Sequence, residues 1–163
     1  SFREPARVSD APWRINACPI SGPALAAAGG RLYVAWMDGR ADAAQEGARG
    51  DLWVAASDDG GASFGPNVRV NPAAMGYHNL PAIGAGPDGL LHIAWEGDEG
   101  DGTSIFYSSS SDGGASFAPP TPLAAQDDEL GRPRGAALVV GGDGSIQIAW
   151  VDQKGGRLIT LGP

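Results

Sequence analysis

Ser57-Asp58-Asp59-Gly60-Gly61-Ala62-Ser63-Phe64 returns 53 residues later as Ser110-Ser111-Asp112-Gly113-Gly114-Ala115-Ser116-Phe117, so Ser, Asp, Gly, Ser and Phe recur at identical spacing in the pattern SxDxGxSF. A repeat of this kind means that one supersecondary unit is copied along the chain. Working outward, Gly30–Trp36 (GxLxVAW) returns as Gly89–Trp95 (GxLxIAW) and as Gly144–Trp150 (GxIxIAW), which makes three units. A small-residue apolar run precedes each, at Pro23–Ala28, Pro81–Ala85 and Ala136–Val140. Another apolar run follows each, at Leu52–Ser57, Ile105–Ser110 and Leu158–Leu161, with Trp53, Phe106 and Ile159 in equivalent places.

A last segment follows the SxDxGxSF turn, at Pro66–Val70 and Pro119–Leu123, giving four short strands per unit. Apolar residues alternate with polar ones in runs bounded by Gly, Asp and Pro, the period of strands and tight turns. Units of about 40–50 residues with this texture are propeller blades. The expected fold is all-β, with about three four-stranded blades in one segment spanning 1–163, and repeats near 1–62, 63–115 and 116–163. Ser1, Phe2, Pro5, Arg7 and Val8 read like Ser63, Phe64, Pro66, Arg69 and Val70 with one register slip, so Glu4–Ser9 is expected to be an outer strand. Pro163 then falls where Ser57 and Ser110 stand, and three blades are too few to close a ring, so the chain reads as a fragment or as half of an assembled ring.

The turn motif has its own chemistry. A carboxylate accepts bonds from the N–H groups of its loop, Gly supplies positive φ, Ser hydroxyls tie down neighbours and the Phe packs into the blade. Asp59 and Asp112 therefore read as structural staples. The chain holds 26 Gly and 13 Pro, a formal charge of −8 and one cysteine, Cys18. The charge disfavours nucleic acid and anionic membranes, which demand clustered Lys and Arg. No apolar run is long enough to span a bilayer, and a lone cysteine excludes an internal disulfide framework. The longest irregular stretches, Pro5–Gly22 and Asp38–Ala55, are candidate functional insertions.

SxDxGxSF with its flanking strands resembles the Asp box of the sialidase-like (BNR-repeat) propellers. The resemblance implies a six-bladed propeller with Asp boxes on the outer turns and any active site on the central axis. For a sialidase it further implies an arginine cluster for the substrate carboxylate, a tyrosine nucleophile assisted by glutamate, and an acid. Aligning Pro23 and Pro81 with the proline of the family's Arg-Ile-Pro motif puts Ser21 and Asn79 where the arginine belongs; only Arg134 has the right place, without the proline. Tyr33 and Tyr107 lie inside strands, which leaves Tyr77 beside the start of an inner strand.

The segments before the inner strands face the mouth of a propeller axis, so Cys18, Ser21, Tyr77, His78, Asn79, Arg132 and Arg134 are the candidate axial binding residues. Cys18 and His78 lack the close spacing of a metal motif, and no metal or cofactor is expected. His92 reads as a polar-face strand residue; Asp98, Glu99 and Asp101 lack the order of a calcium loop and read as a solvated turn. Asp38, Arg40 and Asp42 read as a surface ion-pair group. An intact scaffold with a depleted axis leads to a non-catalytic module that binds a protein partner or further blades within a periplasmic or extracellular assembly, its leader removed. The alternative is a sialidase-like glycoside hydrolase or glycan-binding protein whose remaining blades lie outside this chain.

Overall fold

The computed structural model describes residues 4–13, 21–40, 50–72, 76–98, 100, 102–126 and 131–162. Among them the regular elements are all strands, arranged in three consecutive antiparallel sheets. The first sheet runs β1 (Ala24–Ala28), β2 (Arg31–Asp38), β3 (Asp51–Ser57) and β4 (Val68–Arg69), in spatial order β1-β2-β3-β4. The second runs β5 (Tyr77–Ala85), β6 (Leu91–Asp98), β7 (Thr103–Ser110) and β8 (Thr121–Ala125) in the same order. The third holds β9 (Arg134–Val140), β10 (Ile146–Asp152) and β11 (Gly155–Leu161). These are successive blades of a partial propeller, each a meander of neighbouring strands.

Side chains of a strand alternate between its two faces, so each sheet offers one face to the sheet before it and one to the sheet after. The front face of the second sheet, with Ile93, Trp95 and Phe106, packs on Tyr33, Ala35 and Val54 of the first. Its back face carries Ala94 and Tyr107 onto Leu138, Ile148 and Ile159 of the third. Being covered on both sides, β6 is buried from Leu91 through Gly97, which is why it reads as a nearly continuous apolar run. The register makes the units superimpose: Ala35 pairs with Val54, Ala94 with Tyr107 and Ala149 with Leu158.

Three sequence expectations need correction. Residues 4–9 form no strand; instead Asp10 and Asn67 exchange backbone and side-chain bonds at 2.8 and 3.2 Å, and Asn67 Nδ2 donates to the Val8 carbonyl at 3.0 Å. Side-chain amide bonds take the place of a ladder, and the N-terminal stretch is held against the first sheet, while the third sheet keeps three strands. Second, Trp150 pairs with Arg157, as Trp36 pairs with Trp53 and Trp95 with Phe106, so Arg157 and not Ile159 is the equivalent position. Leu161, opposite Ile146, therefore stands where Ser57 and Ser110 stand, and not Pro163, which lies outside the described residues. The cause is a two-residue turn, Gln153-Lys154, closed by the Asp152 and Gly155 pair, where the other units carry longer connections. Third, Asp38 ends β2 and Asp51–Ala55 belongs to β3, so both ends of the stretch expected to be irregular are strand, and 41–49 lie outside the described residues.

Candidate functional site

The two SxDxGxSF turns have the same internal bonding. Asp59 accepts from Ser57 Oγ at 2.8 Å, Ser63 N at 2.9 Å and Ser63 Oγ at 2.6 Å, while Gly61 N donates to Ser57 Oγ at 2.9 Å. Asp112 accepts from Ser110 Oγ at 2.8 Å, Ser116 N at 2.9 Å and Ser116 Oγ at 2.5 Å, and Gly114 N donates to Ser110 Oγ at 2.9 Å. The serine donors hold both carboxyls down to about 2, well below the usual aspartate value. Gly60, Gly61, Gly113 and Gly114 all take positive φ, between 70° and 87°, which a side chain would strain. Phe117 packs on the core between the first two sheets, while Phe64 is half-buried. With their lone pairs engaged by their own loops, these aspartates have no geometry for turnover.

The other end of the second sheet is chemically different. Tyr77 begins β5 opposite Asp98, and Asn79 lies opposite Glu96, so Tyr77, Asn79 and Glu96 share a face while His78 projects from the other. A bulge between Asn79 and Ala82 interrupts the ladder, and Leu80 takes φ 50°, the only positive φ outside glycine among the described residues. Leu80 N donates to Asn79 Oδ1 at 2.8 Å and to Ser21 Oγ at 3.1 Å, which brings Ser21 from ahead of β1 to Asn79. Strain of this kind collects at binding sites, where the surroundings over-determine the backbone.

Asn79 Nδ2 donates to the Tyr77 hydroxyl oxygen, leaving the Tyr77 proton free to donate onward. Glu96, 9% exposed, has its Oε2 buried with no hydrogen-bond partner among the described residues. Burial, and then the Glu96 charge, push the Tyr77 hydroxyl above the ordinary tyrosine value, so it stays protonated. On the opposite face His78 is fully buried; its Nδ1 accepts from Trp95 Nε1 at 2.9 Å, and burial, opposed by the Asp51 charge, drives it down to about 4. His78 is thus a neutral core imidazole, separated from Tyr77 and Asn79 by the strand itself.

The remaining candidates are distributed as follows. Cys18, Asp42, Glu99 and Asp101 lie outside the described residues. Arg132 and Arg134 are exposed at the start of the third sheet, Arg134 opposite Val151. Asp98 Oδ1 accepts from Gly100 N at 2.7 Å, a local turn. The Asp38 and Arg40 pair is not a surface pair: Asp38 is 2% exposed and bonds Arg40 Nε at 2.8 Å and Trp36 Nε1 at 2.9 Å, while the guanidinium lies 4.4 Å from the Trp53 ring centre. Arg40 also reaches Asp10, Ser9 and Asn67, so it clamps the N-terminal stretch onto the first sheet. His92 is buried and pairs its Nδ1 with the Tyr107 hydroxyl at 2.8 Å. Among the described residues no group of three or more His, Cys, Asp or Glu is arranged to hold a metal.

Glu96 is the residue that sequence reasoning passed over. It follows the second IAW, where the other units place Met37 and Val151, and a lone carboxylate at an otherwise apolar repeat position is a signal that was present.

No family model and no curated protein matches this chain. Solved structures do. A Hadza microbial sialidase is similar at a TM-score of 0.65 and 17% identity, over 85% of this chain and 34% of its own. The alpha-L-arabinofuranosidase of Fusarium graminearum, solved with an iminosugar inhibitor, gives 0.62 and 16% over 86% and 44%. The alpha-L-arabinanase of Penicillium chrysogenum, solved with arabinobiose, gives 0.60 and 18% over 86% and 44%. The chain therefore spans less than half the length of these propellers, and at such identities the likeness is one of fold.

Proposed function

We propose that this chain is a blade segment of a glycan-active propeller, a glycoside hydrolase or glycan-binding protein of the sialidase-like Asp-box kind, rather than a non-catalytic scaffold. The observation that carries the reading is the group at the start of β5: a buried glutamate oxygen without a partner, beside a tyrosine with a free proton and a fixed asparagine. Polar groups left unsatisfied inside a protein are costly, and a ligand hydroxyl relieves that cost. The likeness in fold to a sialidase, an arabinofuranosidase and an arabinanase supports the same direction. Further blades complete the ring and contribute the residues that this segment lacks.

The test is a panel of chromogenic glycosides offered to the complete gene product. Turnover that falls by about 100-fold or more in Glu96→Gln supports the reading, since a positioned acid or base contributes that much. A complete protein that neither cleaves nor retains any glycan rejects it.

A further inference from the structure

Resting on that glycan reading and narrowing it, we infer that the subsite built by Tyr77, Asn79 and Glu96 accepts a hydroxyl of an uncharged sugar and excludes a sugar carboxylate. The Glu96 carboxylate, 9% exposed, has no donor to its buried Oε2 among the described residues and offers only lone pairs. Tyr77, its oxygen already accepting from Asn79, offers a proton. A sugar hydroxyl answers both at once, donating to Glu96 and accepting from Tyr77. A carboxylate cannot donate to Glu96 and meets a like charge at close range in a dry setting, where such repulsion is strong.

Among the described residues, no arginine or lysine forms an ion pair or hydrogen bond with Tyr77, Asn79 or Glu96. Arg132 and Arg134 stand exposed at the start of the third sheet and form no ion pair, and Arg40 is committed to Asp38 and Asp10. The geometry at Leu80 fixes the arrangement, because the same N–H is shared by Asn79 Oδ1 and Ser21 Oγ, which locks the asparagine that orients Tyr77.

Calorimetric titration of the full chain with arabinobiose and with sialyllactose tests the inference. Arabinobiose is expected to bind at least about tenfold more tightly than sialyllactose, Glu96→Gln to lose about tenfold for arabinobiose and to close most of the gap, and Tyr77→Phe to lose arabinobiose affinity several-fold, as a hydrogen bond to a charged and to a neutral group would. Sialyllactose bound in preference, or an arabinobiose affinity untouched by both folded variants, overturns the inference while the glycan reading stands. Wild-type protein that binds neither sugar also overturns the inference, while the glycan reading is decided separately by the glycoside panel on the complete gene product. Circular dichroism of each variant separates loss of the site from loss of fold, and Tyr77→Phe, at a partly exposed position, keeps the test open if Glu96→Gln does not fold.

Discussion

His78 turns one indole contact into a dependence of stability on pH. Its Nδ1 accepts the Trp95 N–H, which places its own proton on Nε2 and keeps the ring neutral in a fully buried site. The folded ring titrates at about 4 against 6.5 in the unfolded chain. Between those values the unfolded state binds a proton that the folded state refuses, so stability is complete above about 6.5 and declines as pH falls toward 4, by about 3 kcal/mol. Asp59 and Asp112 act in a separate window: their lowered carboxyls stabilise the fold above the ordinary value of 3.8, and that contribution is lost as pH falls toward 2. Urea midpoints measured from pH 7 to 4.5 are expected to slope in the wild type and to slope less in His78→Gln, which retains an acceptor for Trp95, the remainder coming from His92, whose ring burial also lowers. An equal slope in both proteins would assign the acid sensitivity elsewhere.

At the scale of the element, β5 is set by how closely the third sheet approaches it. A Cβ at Gly84 would lie 2.5 Å from Leu138 Cδ2 and 2.8 Å from Val140 Cγ2, closer than real side chains come. Gly84→Ala is expected to cost about 1–3 kcal/mol through overpacking, read as a melting point lower by several degrees. An unchanged melting point would mean that Leu138 turns aside freely. The corresponding places, by register, are Ala26 in β1 and Val139 in β9, so the tolerance of this position tracks the neighbour it faces.

That comparison also marks what the sequence makes legible. The strands and turns could be read because alternation and the Gly-Asp turns are local; β4, with only Val68 and Arg69 in the ladder, is the shortest remnant of what the pattern suggested. The register of the third sheet was hidden because a two-residue turn replaces the longer connection and shifts every later equivalence by two positions. The candidate site was half legible: Tyr77, Asn79 and Ser21 were singled out by their places, but Glu96 acquires its meaning from a cross-strand partner and from burial, neither of which is local in the chain.

The two ends of the stack of sheets differ. The outer side of the first sheet is met by the N-terminal stretch, where Arg7, Pro12 and Trp13 approach Trp36 and Asp38. The back of the third sheet is bare: Val139 is 56% exposed, Val151 54% and Leu158 68%. By register Val139 stands where Gly84 stands and Leu158 where Tyr107 stands, and in the second sheet those positions carry the next blade. Ala137, Val139, Gln147, Ala149, Leu158 and Thr160 of this face bear no ionisable group, in a chain of net charge −8. Uncharged contiguous apolar surface of this kind marks an interface, and the internal precedent makes the fitting partner the apolar front of another blade. Purified alone, the chain is expected to associate with rising concentration in sedimentation velocity through this face. The double substitution Val139→Lys and Leu158→Lys should hold it monomeric while changing stability by no more than about 0.5 kcal/mol per site, since both side chains already meet solvent. Wild-type protein that stays monomeric at every concentration, or a double variant that associates as well as the parent, would show that this face does not seat a second copy of the chain.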